Sequence, residues 1–329
     1  MGSPRLMVSI SFLESESMVR SLLFSLAGSA LMAAVLATSA AAQFPATSSG
    51  VVTSVVSSGA GGVLVNAGGT VVHLMAPPRM PIFTGIDTYA DLLDPTPLPG
   101  RVEPGILGCV LDVMGSITAD GVITPGIVDI QPLAVEHVGV VTANTLGKTG
   151  GTISVNGAAC VLNTDPRLPI GRLTNDLGLP INPALAVRGI QAAAEGYQST
   201  DGSNLLYCSS IQVIGLPAAT PGLQVGIVTA RFKRGGINAG LVEVVGGISG
   251  LPLTLARTAV VNVTVYVSGA TPKAPPIPLG IAASNPGALV GTRTFSFRTA
   301  KTFSVPPKTA FVRVTVGGAT VTSDVVPVF

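Results

Sequence analysis

The sequence predicts an all-β protein, two tandem copies of a small five-stranded barrel followed by a C-terminal β-sandwich. Three observations carry this. Short runs of alternating aliphatic residues, punctuated by turn residues, recur along a chain with 40 Gly, 26 Pro, 4% aromatic residues and no Trp. A segment beginning at Gly50, GVVTSVVSSGAGGVLVNAGGTVV, is answered by one beginning at Gly139, GVVTANTLGKTGGTISVNGAACVL. After residue 223 the repeat stops and the alternating runs lengthen. With 47% apolar and 10% charged residues, the chain is far from the composition of a disordered one.

The first residues read as a targeting segment. Residues 18–42, MVRSLLFSLAGSALMAAVLATSAAA, combine Arg20, an apolar run over 22–36, and small residues Ala40, Ala41 and Ala42 before Gln43. That is the three-part plan of a secretory signal peptide. The run is interrupted by Ser25, Gly28 and Ser29 and is short for a membrane span. Glu14 and Glu16 do not suit a basic leader, so Met18 is the expected start and 1–42 the expected leader. No Cys follows the small residues to take a lipid anchor, and no later segment reads as a membrane helix. The expected product is an exported bacterial protein of the periplasm, cell surface or medium.

The duplicated units are 48–135 and 136–215. Val65 and Asn66 align with Val155 and Asn156. Gly115, Asp120, Gly121, Ile130 and Gln131 fall on Gly196, Asp201, Gly202, Ile211 and Gln212 at a constant offset. Each unit reads as five short strands, with Asp-Gly hairpin turns at Asp120 and Asp201. A short helix fits only at TYADLL (88–93) and GRLTNDLG (171–178). Five strands with a helix after the third is the plan of the OB-fold. The units resemble OB-like domains of unknown function that recur in exported bacterial proteins, through the pattern G-V-V-T, I-x-V-N-G, V-x-G, D-G and A-x-x-I. The resemblance spans roughly residues 48 to 215 and implies a fold without naming an activity.

Export permits disulfides. Of the three cysteines, Cys160 is expected in the second strand of the second unit and Cys208 in the fifth. A bond between them closes a loop of about fifty residues, worth about 3 to 4 kcal/mol. The aligned positions of the first unit are Thr70 and Ile127, and Cys109 has no mate; the spacings match no zinc pattern.

The stretch GLPAATPGL contains the expected linker, 216–223. After it come VGIVTARFKR, LVEVVGG, TAVVNVTVYVSG, TRTFSFR, AFVRVTVGG and ATVTSDVVPV. Val261, Val263, Val265 and Val267 point to one face, and so do Val312, Val314 and Val316. Six or seven such strands over 224–329 predict an immunoglobulin-like sandwich, similar in pattern to modules at the ends of bacterial surface proteins.

Groups for chemistry are sparse. The expected mature chain has two histidines, His73 in VVHLM and His137 in VEHVG, each suited to a structural role. GISG (247–250) lacks the spacing and setting of a nucleophile elbow. Asp87, Asp91 and Asp94 are the densest acids, but no calcium-loop pattern surrounds them. No catalytic residue, metal or cofactor is predicted, and the chain reads as a non-enzyme. The terminal Phe329 resembles the end of an outer-membrane strand, yet the aromatic girdles of such barrels are missing.

Charge is the one strong signal. Residues 43–220 hold six Lys and Arg against twelve Asp and Glu, a net −6, which opposes nucleic-acid binding by the barrels. Residues 221–329 hold ten basic residues against Glu243 and Asp324, a net +8. Arg231, Lys233 and Arg234 are the predicted core of a docking patch for an anionic envelope polymer or for the acidic half of another copy. The expected function is structural, adhesive or assembling. The alternative is a module binding carbohydrate or another small ligand on an open barrel face near Tyr89 or Tyr207.

Overall fold

The computed structural model describes residues 44–58, 62–74, 89–117, 123–147, 151–233, 240–255, 259–268, 274–300, 302–303 and 307–328. The expected leader, Asp87, the Asp120–Gly121 turn, Arg234 and Phe329 lie outside them. The regular secondary structure of the described residues is nearly all strand.

The first unit contains β1 (Phe44–Ser57), β2 (Val63–Ala67), β3 (Thr70–Leu74), the short helix α1 (Tyr89–Leu93), β4 (Val110–Ile117) and β5 (Ile123–Gln131). The strands close into a barrel in the order β1-β2-β3-β5-β4. The β3–β5 contact is parallel and the others are antiparallel. The second unit contains β6 (Ala134–Asn144), β7 (Ile153–Val155), β8 (Ala158–Leu162), β9 (Arg172–Asn175), β10 (Gln191–Gln198) and β11 (Leu205–Val213). Its strands β6, β7, β8, β11 and β10 form the same ring, again with one parallel contact, β8–β11. Both rings have the strand order of an OB barrel.

The repeated GVVT is explained by this ring. Gly50 faces Leu111 across β1–β4, and Gly139 faces Ala192 across β6–β10, so the two units share this register. Both glycines pass under the turn after the next strand. A Cβ on Gly50 lies 2.7 Å from the Gly68 nitrogen, and one on Gly139 lies 2.4 Å from the Asn156 side chain. The following valines, Val52 and Val141, are buried core residues. Each exchanges backbone hydrogen bonds with the entry to the fourth strand, Val52 with Gly108 and Cys109, Val141 with Gly189 and Ile190. Gly108 and Gly189 both have positive φ there. The threonines close the motif, with Thr53 Oγ1 donating to the Asn66 carbonyl and Thr142 Oγ1 to that of Ser154.

Two expectations need correction. The segment 171–178 is not helical. β11 outruns β8: residues 205–208 pair with β8, and Ser210 to Val213 would present a bare edge, which β9 takes in parallel. Cys160 lies on the third strand of its unit, not the second. The β2–β3 and β7–β8 turns are each two residues, and its structural counterpart is Val72 rather than Thr70: Val72 faces Val65 and pairs with Ile123 as Cys160 faces Ile153 and pairs with Leu206.

The third unit contains β12 (Gln224–Phe232), β13 (Val242–Ser249), β14 (Asn262–Val267), β15 (Ile277–Pro286), β16 (Arg293–Arg298), β17 (Thr309–Val316), β18 (Ala319–Thr322) and β19 (Val326–Pro327). The path β12-β13-β16-β15-β14-β17-β18 folds into two layers, because β15 pairs with β14 through residues 277–283 and with β16 through 284–286. The halves β12-β13-β16-β15 and β14-β17-β18 reproduce the A-B-E-D and C-F-G order of an immunoglobulin-like sandwich. Val261, Val263, Val265, Val267, Val312 and Val314 fill its core as their alternation predicts. The sequence pattern misses β15, whose Pro278, Gly280 and Pro286 disguise a strand at the corner between sheets.

Candidate functional site

The described chemistry collects where the three units meet. Arg167, on the loop between β8 and β9, is buried and reaches into the first unit. It donates to both oxygens of Asp165 (Nη2 to Oδ2 2.7 Å, Nε to Oδ1 3.1 Å). It also donates to the carbonyls of Thr96 (2.8 Å) and Pro97 (3.2 Å) and to Asp94 Oδ2 (3.4 Å). Burial works to raise the Asp165 carboxyl, but the hydrogen bonds from Arg167 outweigh it and hold Asp165 below the ordinary carboxylate range. Beside this latch, Tyr197 Oη donates to the Pro99 carbonyl (2.9 Å) and its ring stacks on Tyr207 at 5.5 Å. Leu168 and Tyr197 of the second unit complete the core of the first.

The second junction is backbone against backbone. Arg172 Nη2 donates to the carbonyls of Gly178 (3.3 Å) and, in the sandwich, Ile227 (3.2 Å). Burial holds its guanidinium below the ordinary arginine range. Gly178 has φ +74°, and a Cβ there lies 2.3 Å from the Ile227 carbonyl carbon; Leu177 covers Gly247 in the same way. The expected linker is pinned, because the Leu216 carbonyl accepts from Asn175 Nδ2 (3.0 Å) and Ala219 N–H donates to the Pro180 carbonyl (2.8 Å).

Between these junctions opens a cleft of about 360 Å³, walled by Gln131 at the end of β5 and Pro132 after it, by β6, β9, β10 and β11 of the second unit, and by β12 and β19 of the sandwich. Two β-bulges face it. Ser209 is the extra residue where β11 pairs with β10, and Val228 the extra residue where β12 pairs with β13. Bulges re-aim side chains and are concentrated beside functional sites.

The predicted docking residues separate. Arg231 is exposed on the cleft wall. Lys233 is instead ion-paired to Glu243 (3.1 Å), which also accepts from Arg298 Nε (2.6 Å). Tyr207 lines the cleft, although the Tyr197 stack and Gly100 occupy much of its ring. His73 bonds Ser58 (3.2 Å) and His137 faces Ala194 across β6–β10, so the two do not form a common site. Asp94 is engaged by Arg167 and by the Thr96 N–H (2.9 Å). No group of three metal-ligating side chains occurs among the described residues.

The cysteines are all free and buried. Cys160 and Cys208 meet because the third strand of the ring is the one that pairs with the fifth. Their shared hydrogen bond, and then burial, push the Cys208 thiol well above the ordinary range. Cys109 accepts from Arg101 Nη1 (3.4 Å), and burial pushes its thiol up to about 11.

The sequence did not mark Arg167, Asp165, Arg172 or the Glu136–Glu195 pair. The one local signal is the Asx turn in which Asp165 Oδ1 accepts the Arg167 N–H (2.9 Å); the partners in other units have no counterpart in local spacing. Comparison with family models, with curated proteins and with solved structures finds no match to the chain.

Proposed function

We propose that the protein is an exported, non-enzymatic module of the bacterial envelope or surface, in which two fused barrels form a stiff arm and the sandwich attaches it to an anionic polymer or to another copy. The observation that carries this reading is the locking of the units around Arg167 and Gly178. A buried arginine that bonds three groups across a seam opposes hinge motion, and a stiff multi-domain body suits a spacer.

Charge supports the attachment. A net −6 over 43–220 against +8 over 221–329 gives the body opposed ends, and such fields steer association over a Debye length. The resemblance of the barrels to domains of exported bacterial proteins points the same way. The non-enzymatic reading is supported by how the buried polar groups are used: Arg167, held by Asp165, and Tyr197 donate to the Thr96, Pro97 and Pro99 carbonyls across a domain seam.

Light scattering after size exclusion on residues 43–329, in low and high salt, tests this, with dextran sulfate as the anionic probe. Association or dextran sulfate binding that fades with salt, and weakens when Arg231, Lys233 and Arg234 become Ser, is the expected result. A monomer at every salt concentration that ignores the probe overturns the reading.

A further inference from the structure

We infer that the cleft at the seam of the three units binds a neutral, hydroxyl-rich ligand, a saccharide chain. The argument begins with Glu136 and Glu195, which face each other directly across β6–β10 and both line the cleft. Like charges in that position destabilise a sheet, so the pair stands at a local cost. The same cleft is lined by Arg172 on β9 and by Arg231 on β12 of the sandwich. Arg172 uses Nη2 on two carbonyls, and no carboxylate lies within ion-pair distance of it among the described residues.

Two carboxylates against two guanidiniums leave the cleft formally neutral, although the units around it carry large opposite charges. A polyanion meets the glutamates and a polycation meets the arginines. A neutral polyol satisfies both kinds of group, its hydroxyls donating to carboxylates and accepting from guanidiniums, with amides and hydroxyls such as Gln212 and Ser209 in the same lining. The size is that of a small-molecule site, on the order of 300 to 1,000 Å³. Bulges from two different domains, at Ser209 and Val228, turn toward the same space, which a mere packing defect does not require. The lining comes from the first, fourth and fifth strands of the second ring, from β9, from the end of the first unit and from the sandwich, so the site exists only in the assembled three-unit body.

The test is titration calorimetry of residues 43–329 with cellohexaose, maltohexaose and chitohexaose, with dextran sulfate as a charged control. Binding of at least one neutral hexaose, insensitive to salt, is expected. Glu136→Gln with Glu195→Gln removes both carboxylates and their repulsion, so the melting temperature holds or rises while affinity falls about tenfold. Ser209→Trp fills the cleft from an independent position and abolishes binding. No binding by any neutral hexaose, or binding that survives both the double variant and the filled cleft, overturns the inference. Because these variants leave Lys233 and Arg234 untouched and the expected binding ignores salt, the result is separate from that of the anionic-docking experiment.

Discussion

Gly50 and Gly139 occupy the same place in the two rings, one facing Leu111 and the other Ala192, each beneath the turn that follows the next strand. What lies above them differs. A methyl on Gly50 meets backbone, the Gly68 nitrogen at 2.7 Å and the Ala67 carbon at 2.9 Å, whereas one on Gly139 meets the Asn156 side chain. Backbone in a closed ring cannot step aside, and an amide can rotate. Gly50→Ala is therefore expected to destabilise by about 2 kcal/mol or more, and Gly139→Ala by about 1. Denaturant melts of the two variants check the order; an equal loss argues against it.

Removing the guanidinium in Arg167→Ala strands the Asp165 carboxylate and two carbonyls in the seam between barrels, a loss of about 3 kcal/mol. The pH dependence follows from Asp165. Its folded value lies below its unfolded one, so the pair contributes stability above the ordinary carboxylate value near 4 and loses it as pH falls through the lower folded value. The melting-temperature gap between wild type and Arg167→Ala should be widest at neutral pH and close on acidification.

Gly178→Ala tests the second junction. Its φ of +74° disfavours a side chain, and the new methyl drives into the Ile227 carbonyl. The sandwich should detach from the barrels while keeping its own core. Scattering should show a larger radius of gyration, and a limited digest should newly cut within 216–223. An unchanged radius argues that the pinned connection is enough to hold the units.

The cysteine pair should be chemically silent in the native state. Burial of both sulfurs predicts no alkylation of Cys160 or Cys208 by iodoacetamide at pH 8, and full labelling of three cysteines after unfolding. Refolding with oxidised glutathione should join the two sulfurs, each thiol giving up its hydrogen as glutathione is reduced. The gain is about 3 to 4 kcal/mol. Intact mass reads the loss of two hydrogens, and native labelling of either residue contradicts the buried geometry.

Glu243 gathers Lys233 and Arg298 at the surface of the sandwich. Exposed pairs of this kind contribute about 0 to 1 kcal/mol, so Glu243→Gln should barely change stability. It frees two cations, and salt-dependent retention on dextran sulfate should increase. Weaker retention argues that the triad itself is the docking geometry.

The sequence by itself determined what is periodic and local. Val261, Val263, Val265 and Val267 point inward because strand geometry alternates side chains, whatever the strand pairs with. The duplicated GVVT predicted a duplicated ring because the same glycine, valine and threonine solve the same packing problem twice. The opposed charges of the two halves needed only counting. Only the tertiary structure decided what depends on partners distant in sequence. Strand β9 is extended because β11 leaves an edge open, a fact absent from GRLTNDLG itself. Cys160 meets Cys208 because the third strand of the ring pairs with the fifth. Lys233 reaches Glu243 because β12 pairs with β13, whereas Arg231, two residues earlier, also lines the cleft because the sandwich is docked beside β9. The cleft belongs to no single unit, and Arg231 joins Glu136, Glu195 and Arg172 in its lining only once the sandwich is held against the barrels at Gly178.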